Sequence, residues 1–150
     1  MKTWELLCIV SSSLVLALFH SPWVALSRSF KSTSPEMFLG IVSRMSQNMA
    51  PALIVLMPIS LLSMIPILLY SHASNTVAFG FDLTALALNL LSLVVTVIFE
   101  VPIVTEVIAW TSSSLPTDWQ QRRDRWIVVH MIRVLAGVVS LLSLIIGALI

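Results

Sequence analysis

Apolar residues gather in four long runs parted by polar stretches, over about 6–26, 51–70, 83–110 and 127–149. A helix needs about 20 mostly apolar residues to cross the hydrocarbon core of a bilayer, so the pattern predicts four crossings. The first run, LLCIVSSSLVLALFHSPWVAL, is the least apolar. With Lys2 ahead of it and Ala25-Leu26-Ser27 behind, it also has the outline of a cleavable signal peptide. Glu5 stands where such a peptide is basic, which favours a first transmembrane helix.

Within the polar stretch 27–50, Ser34-Pro35-Glu36 has the chemistry of a helix start: a capping hydroxyl, proline in the first turn, then an acid. Met37, Phe38, Ile41, Val42 and Met45 follow at helical spacing, with Ser43, Arg44, Gln47 and Asn48 on other faces. A short amphipathic, interfacial helix between spans 1 and 2 is expected. Span 2 carries Pro51, Pro58 and Pro66 and should bend. The uncharged segment 71–81 reads as a loop, with Asp82 placed to cap span 3. The second polar connection, TSSSLPTDWQQRRDRW, covers 111–126. The fold class is therefore all-α, a four-transmembrane-helix bundle forming one integral membrane domain over 1–150.

Composition agrees, since 58% of the residues are hydrophobic and 10% charged, against roughly 25% charged in a soluble domain. The lipid bilayer is the first partner implied. A net charge of +1 excludes nucleic acid as an electrostatic partner, and the single cysteine, Cys8, forms no internal disulfide. Basic residues mark the cytoplasmic side of membrane proteins. Arg28, Lys31, Arg44, Arg122, Arg123 and Arg125 lie in connections 1 and 3, against Lys2 alone on the other side. Both termini are expected to be non-cytoplasmic, though any of these arginines that serves a site inflates the count.

The candidate chemistry lies in ionisable residues within the spans: His20, Glu100, Glu106, His130 and Arg133. Charges in hydrocarbon are costly and usually face a partner or a wet cavity. Trp119, Trp126, His130, Arg133 and Gly137 share one helical face of span 4, and Asn89, Ser92, Thr96, Glu100, Ile103 and Val107 share one of span 3. Measured from the intervening connection, Glu100 and Arg133 lie roughly 15 and 12 Å deep and form the natural ion pair. His20 falls in the same half of the membrane. Pro102, two residues past Glu100, should bend span 3 beside this cluster.

The same residues admit plainer readings. Glu100 and Arg133 suffice to lock two helices together, and Trp110, Trp119 and Trp126 stand where an aromatic belt is expected. Ser140, Ser143 and Gly147 suit close helix packing. A metal set of His20, Glu100, Glu106 and His130 lacks the i, i+3 or i, i+4 ligand spacing of bundle metal sites, and Arg133 opposes a cation there, so no metal ligand is assigned.

Pro116, Trp119, Arg125, Trp126, His130 and Arg133 spell P-x-x-W-x5-R-W-x3-H-x-x-R. Together with Glu100-Val101-Pro102-Ile103 and Trp110, this resembles the anthrone oxygenase-like family of small four-helix membrane proteins, sharply over 96–137 and in general outline elsewhere. Where that family commonly has two asparagines after the proline of span 3, this chain has Val104 and Thr105. The resemblance implies an enzyme that oxidises flat phenolic substrates such as anthrones with molecular oxygen and no cofactor. His130 would then act as base, Arg133 would stabilise the oxyanion and Glu100 would orient them. Trp119, Trp126 and His20 would touch the hydrophobic aromatic substrate, the tryptophans by stacking. A non-catalytic small subunit of a larger membrane complex is the rival reading, with the polar cluster serving the fold alone. A cavity beside His130 distinguishes the two.

Overall fold

A computed structural model of the chain describes residues 2–26, 29–111 and 113–150. Arg28, counted above for orientation, lies outside them. Helix α1 (Lys2–Leu26) is followed by a single 3-10 turn (Phe30–Ser32) and by α2 (Pro35–Ser74). Then come α3 (Thr76–Val95), a π-helical turn (Thr96–Glu100), α4 (Val101–Ile108) and α5 (Trp119–Leu149). The third span is α3, the π turn and α4 taken together. Among the described residues, four helical segments are long and apolar enough to cross a bilayer, consistent with an integral membrane protein. Between 28% and 33% of each span is buried in the bundle. The remaining faces carry residues such as Leu62, Leu69, Leu135 and Leu149, exposed as lipid contact requires.

The helices close a four-membered ring, α1 beside α2 and α5, and the third span beside α2 and α5. Ser34 caps α2 as its chemistry predicts, accepting from the Met37 N–H at 3.3 Å with Pro35 in the first turn. The amphipathic segment is helical but continuous with span 2, because Pro51 removes one backbone donor without breaking the helix. At about 1.5 Å per residue, the 40 residues of α2 span roughly 60 Å, twice the hydrocarbon thickness. Its first turns therefore stand clear of the apolar core.

The expected loop at 71–81 contracts to Asn75. That side chain accepts from the N–H groups of Val77 and Ala78 at 3.0 and 3.2 Å, capping α3 seven residues before Asp82. Asp82 is no cap; it is buried inside α3, and Gly147 of α5 packs against it. An Asn cap meets two orphan donors at once, which allows so abrupt a reversal.

Among the described residues, three apolar clusters fill the bundle along its length. Cys8, Met64, Ile67, Ala85 and Leu144 form the one nearest the chain termini. Val15, Phe19, Met57 and Val134 occupy the middle. Phe38, Val42, Val107 and Trp126 form the third, at the opposite end. Between the first two, buried polar groups satisfy one another. Ser12 and Ser60 hydroxyls meet at 2.8 Å, and Asn89 Nδ2 donates to Ser60 Oγ at 2.8 Å.

Candidate active site

The π turn explains how Glu100 comes to face the bundle. Pro102 has no N–H for the Ile98 carbonyl, and the helix widens so that the Val101 N–H donates to Thr96 O, five residues back. The bend expected from Pro102 is thus a local change of register. On α1, Pro22 leaves the Leu18 carbonyl without its helical donor, and one residue on the Phe19 carbonyl oxygen meets His130 Nε2 of α5.

Glu100, His130 and Arg133 meet in this loosened region, with 6%, 3% and 5% of their surfaces exposed. Arg133 Nη1 lies 2.5 Å from Glu100 Oε2, the ion pair anticipated from depth and helical face. His130 Nε2 is 2.9 Å from the Phe19 carbonyl oxygen. A carbonyl only accepts, so Nε2 carries a hydrogen, and in the singly protonated ring Nδ1 holds the lone pair. That nitrogen has Arg133 Nη2 at 2.9 Å, a donor, and Glu100 Oε1 at 3.0 Å, an acceptor. Nδ1 has one lone pair, so an additional proton held between Oε1 and Nδ1 takes the place of the Arg133 Nη2 donation and bridges the two acceptors.

Arg133 is held from three further directions. Its Nη1 donates to Thr96 Oγ1 at 3.3 Å, its guanidinium carbon stands 3.9 Å from the centre of the Phe19 ring, and Ser92 Oγ donates to its own carbonyl at 3.3 Å. Trp126 stacks on His130, with ring centres 5.2 Å apart and planes 26° from parallel, and meets Phe38 edge-on at 6.4 Å. A cavity of about 540 Å³ opens in front of the cluster, with Glu100, Trp126, His130 and Arg133 in its wall. Its volume is typical of pockets that take a small organic molecule. The rest of the wall is mostly apolar and includes Met45, Met49, Leu53 and Met57 of α2. Val104 and Thr105 line it too.

The remaining predicted residues are not gathered at this cavity. Trp119 packs 6.0 Å from Phe38 and beneath Arg123, one layer outward from Trp126. His20 is exposed on α1, tilted against Trp23 at 5.7 Å. Glu106 pairs with Arg122, which also bonds Asp118 at 2.9 Å. Among the described residues, no three His, Cys, Asp or Glu side chains converge as metal ligands. Arg123 is buried, with Nη2 bonded to Asp124 at 2.9 Å.

Two contributors are absent from the sequence reading. The Phe19 carbonyl fixes the His130 tautomer, and no residue pattern signals it. The methionines of α2 form the wall opposite the cluster, where their periodicity alone signals a buried face.

No curated protein and no solved structure matches the chain. The sequence profile of the anthrone oxygenase family matches residues 38–143, a stretch that takes in most of α2, the whole third span, the polar connection 111–126 and most of α5, including Glu100, Trp126, His130 and Arg133. The chain belongs to the anthrone oxygenase family.

Proposed function

We propose that the protein is a membrane-embedded oxidoreductase that uses molecular oxygen to oxidise an activated methylene or phenol in a hydrophobic aromatic, anthrone- or quinol-like substrate. The observation that carries this reading is the cavity, with a base and a cation in one wall and apolar groups over most of the rest. A helix interface serving only assembly has no need of such a space.

The chemistry follows from the proton position between Glu100 Oε1 and His130 Nδ1. The pair takes a proton from the benzylic carbon of an anthrone, and Arg133 compensates the resulting enolate in a low-dielectric setting. The enolate passes one electron to O2, and recombination at carbon gives a peroxide anion, which recovers the proton. The pair then removes the second C–H proton as the O–O bond breaks, and the departing hydroxide leaves as water. In sum, a methylene and O2 become a ketone and H2O; carbon supplies four electrons, O2 accepts them, and the base is regenerated. Trp126, already stacked on His130, offers an apolar edge to the substrate ring. Trp119 and His20 act, in this account, through packing.

The test is oxygen uptake by purified protein in nanodiscs supplied with a panel of anthrones and hydroquinones. Uptake that falls by roughly two to four orders of magnitude in His130→Gln, with an unchanged melt, is expected. Protein that consumes no oxygen with any member of the panel, yet copurifies with a larger membrane complex, belongs to the scaffold reading instead.

A further inference from the structure

The cavity is long, and its polar patch lies near the middle. Along α2 its wall runs from Val42 to Pro58, and along the third span from Leu93 to Ile108, roughly 24 and 22 Å at 1.5 Å per residue. Glu100 stands about midway between Leu93 and Ile108. Beyond it the wall is mostly apolar toward both ends, with Leu53, Met57 and Leu93 on one side and Met45, Val104 and Ile108 on the other, where Ser46 adds one hydroxyl. The threonine hydroxyls of the wall are already engaged: Thr96 donates to Ser92 O at 2.7 Å and Thr105 to Val101 O at 2.8 Å. In contrast, Arg133 Nε is buried without a hydrogen-bond partner. Apart from Ser46, ligand-directed polarity is therefore concentrated at the buried cluster, and the half of the cavity lined by Leu53, Met57 and Leu93 is apolar. A ligand with hydroxyls along its whole length would strand them against aliphatic groups.

The cavity also opens sideways. Ile54, Val97, Val101 and Ile108 line it and are at the same time 73%, 57%, 51% and 42% exposed, on faces that a bilayer covers. The mouth lies between α2 and the third span.

We infer that the substrate is an extended amphiphile, an oxidisable aromatic ring with an apolar chain, which enters laterally from the bilayer. The ring sets its polar edge against Glu100, His130 and Arg133, and the chain lies along Leu53, Ile54 and Val97. This deepens the oxygenase reading and rests on it for the fate of the ring. The methionines of α2 suit such a ligand, because flexible thioethers adapt to chains of varied length.

The experiment measures binding and turnover in the same nanodiscs, using dihydroxyanthrone with and without a straight decyl chain on an outer ring. Bound ligand is counted after removal of free ligand and corrected with empty nanodiscs. Wild-type protein should bind both forms, since a chain leaving lipid for this cavity changes one apolar surrounding for another. Ile54→Trp and Val97→Trp, both at lipid-exposed positions, should lower the decyl-to-unsubstituted affinity ratio by about tenfold or more through overpacking. Exclusion of the decyl form from wild-type protein overturns the inference, as does a ratio unchanged in both variants. Oxygen uptake separates the two levels. A shifted ratio without uptake sustains the occupant and defeats the oxygenase; uptake with an unchanged ratio does the reverse.

Discussion

Glu100→Gln removes one buried charge while keeping the side chain's shape and most of its hydrogen-bonding capacity. The amide oxygen still accepts from Arg133, and the NH2 group shares with Arg133 Nη2 the lone pair of His130 Nδ1, which lies 3.0 Å from the present Oε1. What is lost is the counter-charge of Arg133, only 5% exposed and 2.5 Å from the carboxylate. Two unit charges about 4 Å apart are worth about 4 kcal/mol at an effective dielectric of about 20, and breaking a buried pair typically costs about 3–5 kcal/mol. Phe19 and Thr96 continue to hold the guanidinium in the variant, which places the expected loss near the lower end, about 3 kcal/mol. At about 2–4 °C per kcal/mol for a chain of this length, the melting temperature should fall by about 6–12 °C. The assay is thermal unfolding in a mild detergent, checked by unfolding in SDS, for wild type, Glu100→Gln, Arg133→Gln and the double variant. Removing both charges should cost about 2 kcal/mol less than the sum of the single changes, within the range found for contacting pairs. Strict additivity, or a silent Glu100→Gln, refutes the buried ion pair.

Other expectations concern chemistry, packing and topology. Arg133→Lys should lower oxygen uptake even where the protein folds, because an ammonium cannot meet Glu100, His130 and Thr96 with the planar fork of a guanidinium; parallel kinetics and melts check this. A Cβ at Gly147 would stand 2.5 Å from Asp82 Oδ1, so Gly147→Ala should destabilise the protein by about 1–3 kcal/mol in SDS unfolding. Asp82→Ala should rescue it by making room. We also propose that connections 1 and 3 are cytoplasmic. Cysteines introduced at Ser32 and Ser113 should then be labelled from the same face of sealed vesicles, and labelling from opposite faces contradicts that topology.

The four spans are legible because burial in lipid imposes a length and an apolarity that few soluble elements share. The Glu100–Arg133 pair is legible for a related reason: two helical faces and one depth scale nearly determine it once the helices are antiparallel. His130 is harder to read. Its spacing places it beside Arg133, but its tautomer depends on the Phe19 carbonyl, a backbone group that no residue pattern displays. The end of span 2 misleads because Ser71, His72, Ser74 and Asn75 look like loop chemistry, whereas one asparagine cap suffices to join two helices. Asp82 misleads in the same way, since an acid near an apolar run resembles a cap until Gly147 is seen against it. The cavity is the least legible feature. It depends on where α2 lies relative to the π turn, and no local pattern specifies that distance.

In the proposed function, the cluster of Glu100, His130 and Arg133 directs O2 to the carbon of a bound aromatic substrate. Its most direct test is a single turnover of an anthrone under isotopically labelled O2, with the product quinone analysed by mass spectrometry. One labelled ketone oxygen is expected in the product of wild-type protein, with little product from folded His130→Gln in the same interval. A quinone whose new oxygen comes from water, or labelled product formed equally fast by His130→Gln, contradicts it.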